Sequence, residues 1–191
     1  MCDVNKGIQM KYRHFFYLSI VLVALGGCGS RVAYRDPFQF PQIEWKPDTI
    51  LNAPQADRIL GTPSRLEKTT AYAENGKRVF QSVFFDVAVD PVTGKKGALY
   101  FMVEEYPTSE AVLSYLNPML RENHVNPDDG IPVEGGARLH YMAGGQVIRM
   151  VVIPKGNRLL RLKVNVVTSR YRLDEFRKVA EELAKRLVVP Q

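Results

Sequence analysis

The chain has 191 residues, 26 basic against 20 acidic side chains for a net charge of +6, and 46% apolar residues. That length suits one domain able to bury a sizeable core. The positive excess is small and interspersed with acids, as in the stretches EELAKR and RENH, which argues against a nucleic-acid footprint.

The apolar run from Phe15 to Leu25 follows Lys11, Arg13 and His14 and ends in Gly26-Gly27-Cys28. It is too short to span a bilayer, which takes about 20 apolar residues. A basic start, a short apolar middle and a small-residue end are the parts of a secretory signal peptide. Leu25-Gly26-Gly27-Cys28 resembles the lipobox of bacterial lipoproteins. The resemblance implies cleavage between Gly27 and Cys28 and diacylation of the Cys28 sulfur, which makes the covalent lipid the expected attachment and leaves no other cofactor called for. Cys2, Asp3 and Asn5 fit a leader poorly, whereas Met10-Lys11-Tyr12-Arg13 makes an ordinary one, so translation is expected to begin at Met10. Gly29 is not the Asp that retains enteric lipoproteins in the inner membrane. The expected location is the cell membrane or the outer membrane, with the domain on the non-cytoplasmic side.

The expected organisation is a leader over residues 1–27, a lipidated cysteine and tether over 28–47, and one domain over 48–191. Without the leader, 23 basic and 19 acidic side chains remain (26 less 3, 20 less 1), a net +4. No cysteine remains beyond Cys28, so packing alone must hold the domain in an oxidising compartment. The tether carries Pro37, Pro41 and Pro47 with Tyr34, Phe38, Phe40 and Trp45, an aromatic content foreign to disordered linkers, and is expected to pack over the domain.

Asn52 caps a short helix that takes Pro54 in its first turn and ends at Gly61 and Pro63. Its end, Ala56 through Pro63, resembles the LGxP turn of BamE-like small outer-membrane lipoproteins. Two strands, near 65–73 and 77–89, flank Glu74-Asn75-Gly76, a strong hairpin signal. The uneven alternation of the second strand predicts a bulge or burial on both faces. A turn from Asp90 to Gly94 leads to a strand over 98–105, in which Glu104 and Glu105 point to opposite faces and cannot form a carboxylate pair.

Thr108 caps a second helix with Val112, Tyr115, Leu116, Met119 and Leu120 in its stripe, which Pro118 should kink or divide. The loop at 126–130 and the chain to Gly136 read as irregular. Strands near 137–142, 146–153 and 158–167 form a meander, the last alternating Leu160, Leu162, Val164 and Val166 with Arg161, Lys163 and Asn165. A closing helix over 173–188 carries Phe176, Val179, Ala180, Leu183, Ala184 and Leu187 on one stripe, with Glu182 on the exposed side. The order predicts an α+β domain: an antiparallel sheet of about six strands flanked by two or three helices, the C-terminal helix packed on the sheet. This order loosely resembles the PsbP-like fold, which implies a binding or assembly role.

Catalytic motifs are missing from the sequence: there is no GxSxG elbow, HExxH helix or phosphate loop. His124 reads as a cation at a helix C-terminus and His140 as a half-exposed strand residue, with no metal-ligand spacing between them. Arg138, Arg149, Arg161 and Lys163 fall on the three meander strands and form a basic binding face if register aligns them. The expected function is a membrane-anchored, non-catalytic binding or assembly module that is monomeric in itself and meets an envelope protein. The alternatives are an envelope hydrolase or transfer factor joining an acid to a histidine, and a carrier of lipid in a cavity between helix and sheet.

Overall fold

The structure is a computed structural model and describes residues 50–187. These belong to the second of the two units into which the chain divides, Met1–Gln39 and Phe40–Gln191. The leader, Gly27, Cys28 and the aromatic tether lie outside the described residues.

The elements are α1 (Ala53–Leu60), β1 (Ser64–Glu74), β2 (Lys77–Asp86), β3 (Ala98–Glu105), α2 (Ser109–Glu122), a 3-10 turn (Pro127–Asp129), β4 (Ile131–Val133), β5 (Ala137–Gly144), β6 (Val147–Lys155), β7 (Arg158–Val166) and α3 (Leu173–Arg186). The strands form one antiparallel sheet in the order β1-β2-β3-β7-β6-β5-β4. The domain is thus α+β, with the C-terminal helix docked on the sheet as expected.

Local chemistry accounts for most element ends. Asn52 and Gln55 form a reciprocal capping box at the start of α1, satisfying two backbone N–H groups that the helix leaves unpaired. Gly61 ends the helix at φ 72°, and a Cβ there would lie 2.1 Å from the Arg170 carbonyl oxygen, so only glycine admits this crossing. Asn75 and Gly76 both take positive φ, 49° and 76°, which is what a two-residue hairpin turn requires. Thr108 accepts the Ala111 N–H and opens α2. At its end His124 adopts φ 57° while its N–H reaches Arg121 O and the Val125 N–H reaches Leu120 O, a Schellman closure with His in the usual glycine place.

Strand parity sorts the side chains. On one face Phe84, Leu99, Phe101, Leu162 and Val151 meet Ile59 and Leu60 of α1 and Phe176, Val179 and Leu183 of α3. Each such fully buried side chain contributes about 1.5–3 kcal/mol. On the other face Val112, Leu116 and Leu120 of α2 cover Met142, Val152 and Leu159. α1 rests against β1, β2 and β3, α3 against β4, β5 and β6, and α2 against β6 and β7.

Four expectations change. The stretch read as irregular holds the 3-10 turn and β4, too short and too proline-rich to announce themselves, and the sheet has seven strands. β2 stops at Asp86 rather than near residue 89; of the two readings of its uneven alternation, burial on both faces holds, with Ser82, Val83 and Phe84 buried in succession, and the bulge lies in its partner, at Glu67 between Leu66 and Lys68. Pro118 does not divide α2, because it and Ser114, whose carbonyl loses its helical donor, both sit on the exposed side. Glu182 is not a plain surface residue: it accepts from Gln55 Nε2 at 3.0 Å and from Arg58 Nη1 at 2.9 Å, tying α3 to α1.

Candidate functional site

The richest constellation of charge grows from the end of β3. Successive strand residues point to opposite faces, and Glu104 and Glu105 do so, both almost fully buried. Each gathers cations from the neighbouring strands. On the α2 face the two Glu104 oxygens pair with Lys77 of β2 and Arg161 of β7. The Tyr106 and Tyr115 rings, 5.8 Å apart, close over the group, with Lys77 Nζ 5.0 Å from the Tyr115 centroid and the Arg161 guanidinium 4.9 Å from it. On the opposite face Glu105 meets Arg78 at 2.7 Å and Arg158 at 3.5 Å.

Burial works against the Arg161 charge, but Glu104 together with Tyr115 and Tyr106 outweighs it and lifts the guanidinium above its usual range. Burial, with Glu104 adding to it, also pushes the Tyr106 phenol well up. With each oxygen ion-paired and the side chain 2% exposed, the Glu104 carboxylate is turned to its neighbouring strands and away from solvent. The arrangement acts as an electrostatic clamp: cations from β2 and β7 hold β3 between them, and the tyrosine roof draws the start of α2 onto the sheet.

A third buried acid, before the start of β3, latches a loop. Asp90 accepts from Val92 N, Thr93 Oγ1, Ser169 N and Ser169 Oγ. Burial raises its proton affinity, yet these bonds prevail and hold the carboxyl well below the usual range. The nearby Asp86 accepts only the Gly97 N–H, through Oδ2, and burial pushes it up. Among the described residues no group of three or more His, Cys, Asp or Glu side chains is placed to hold a metal ion.

Among the described residues neither His124 nor His140 pairs with an acid. His124 is exposed at the end of α2. His140 is 3% exposed rather than half-exposed, because the turn before β4 folds over β5: a Cβ on Gly130 would lie 2.5 Å from its Cε1. Burial, helped by Arg138, pulls its pKa down.

Register carries three of the four expected basic residues to the α2 face, but it gives them separate tasks. Arg138 donates to the Asp128 and Gly130 carbonyls, Arg161 belongs to Glu104, and Lys163 stands exposed across from Tyr100 and Met150. Arg149 sits where β5 and β6 shift register, under Gly144.

The remaining chemistry is backbone. A sheet edge presents unpaired N–H and C=O groups, ready to pair with another chain. At one edge β4 has three residues with Pro132 in the middle, and α3 lies against it. At the other, β1 runs eleven residues with almost every side chain exposed, and no described strand pairs with its outer side. One sign of this is local: SRLEKTTAYAE is the least apolar of the strands. No protein-family model matches the chain, and neither a curated protein nor a solved structure matches it.

Proposed function

We propose that the protein is a lipid-anchored module of the bacterial envelope, without catalytic activity of its own, that binds other protein by strand addition at β1. The lipobox-like end at Cys28 supplies the anchor. The observation that carries the binding mode is the asymmetry of the sheet among the described residues, closed at β4 and unpaired along the outer side of β1. Strand addition needs no specialised side chains, since main-chain bonds give affinity and alternate side chains give specificity. That agrees with a domain whose buried acids Glu104, Glu105 and Asp90 are engaged in holding it together.

A benzophenone side chain introduced at Ala71 in the full chain tests the mode in living envelopes. The expected result is an ultraviolet-dependent adduct with protein, absent when the same probe replaces Leu113 on the exposed side of α2. No adduct at Ala71 overturns it. The anchor is tested by feeding a clickable fatty acid: Cys28→Ser should lose the label and remain unprocessed, and undiminished label on the variant overturns the anchor.

A further inference from the structure

We propose that the strand added to β1 is β1 of a second copy, paired antiparallel about a two-fold axis at Ala71. This rests on the reading of β1 as a docking edge and names its occupant.

The hairpin determines which groups are available. Glu74 and Lys77 flank the two-residue turn, and such a flanking pair exchanges its backbone bonds within the hairpin. Alternation then turns Tyr72 and Thr70 toward β2 and directs the N–H and C=O of Ala73, Ala71 and Thr69 outward. The regular edge is bounded by the bulge at Glu67 and the turn at Asn75, so it comprises Lys68 to Glu74. Its midpoint is Ala71, itself an outward residue.

A two-fold pairing of identical strands places one residue opposite its own copy. Centred on Ala71, it uses the whole regular segment: Thr69 meets the second copy's Ala73, Thr70 its Tyr72, and Lys68 its Glu74, each pair occurring twice. The charged pairs fall in the non-hydrogen-bonded sites, where side chains come closest. Moving the axis to Thr69 or Ala73 runs both strands into the bulge or the turn and loses both charge pairs. The outward residues Thr69, Ala71 and Ala73 are small and exposed, so no bulky group holds the copies apart. Two anchors in one membrane would raise the local concentration and favour a pairing of modest intrinsic strength.

The test is charge reversal in the full chain, with differently labelled copies mixed in phosphatidylglycerol-containing liposomes and association read by energy transfer. Lys68→Glu and Glu74→Lys should each weaken self-association about tenfold or more, since two attractive pairs become repulsive. An equimolar mixture of the two variants should associate like the parent, because every facing pair is again opposite in charge. Ala71→Pro should also lose association while keeping its far-ultraviolet circular dichroism, as proline is tolerated where an edge N–H faces outward. Single variants that associate like the parent, or a mixture that fails to recover, overturn the register. A parent that does not self-associate, while the Ala71 probe captures a different protein, overturns the second copy and leaves the docking edge standing. A parent that does not self-associate and captures nothing overturns both.

Discussion

The two edges of one sheet are finished in opposite ways. β4 is short, carries Pro132 and lies against α3, while β1 is long, polar and reaches past α1 with its outer backbone groups unpaired by any described strand. The protecting devices at β4 are those by which proteins blunt unwanted pairing. At β1 the bulge at Glu67 limits the open stretch without removing it. Among the described residues this edge is bounded and polar, yet unpaired, which is what the proposed strand addition requires.

The contrast extends inward. The β4 side is roofed by α3 on one face and α2 on the other, whereas the β1 side has α1 on one face and no described helix on the other. Breaking the roofed side should have the largest effect. Leu183→Asp places a charge where α3 meets the sheet, a fully buried position, at a cost of several kcal/mol against a total stability of about 5–15 kcal/mol. Chemical denaturation should find the domain unfolded or without a cooperative transition.

The seam between the halves should respond less. Glu104→Ala leaves Lys77 and Arg161 facing each other without their shared acid. Both cations keep some contact with water, at 15% and 19% exposure, so the loss should be about 2–3 kcal/mol rather than the roughly 3–5 kcal/mol of a fully enclosed pair. Denaturant midpoints of parent and variant measure it, and a loss below about 0.5 kcal/mol would mean that the clamp contributes no more than an exposed ion pair.

Smallest of all is a pH effect near β4. The native fold holds His140 below its ordinary pKa of 6.5, so the unfolded chain binds the proton more readily. Stability contributed by the neutral imidazole is therefore complete above that value and declines as pH falls through it. His140→Leu should flatten the pH dependence of stability between about pH 7 and 5 relative to the parent, as measured by urea unfolding. Equal slopes would show that His140 does not carry it.

Much of the fold is legible locally. The capping residues Asn52 and Thr108, the Asn75-Gly76 turn, the alternation of Leu160, Leu162 and Val164, and the stripe of α3 each announce an element within a few residues. What escapes such reading depends on partners far along the chain. β3 pairs with β7, and only that pairing brings Arg161 to Glu104. His140 becomes buried through a turn whose short neighbour β4 has no strand pattern of its own. Arg138, Arg149, Arg161 and Lys163 look alike in sequence, yet register and bulge divide them between carbonyl caps, a buried acid and solvent. Openness at β1 is also non-local, since it depends on which strand ends the sheet.

Whether the outer side of β1 is a used edge reduces to alternate backbone amides. In the full chain held in envelope membranes, residue-resolved hydrogen exchange should find the amides of Thr69, Ala71 and Ala73 protected as well as those of Thr70 and Tyr72, with protection of Thr69 and Ala73 lost in Ala71→Pro, which has no amide of its own at position 71. Fast exchange at Thr69, Ala71 and Ala73 beside slow exchange at Thr70 and Tyr72 would show an edge facing water and would contradict the account.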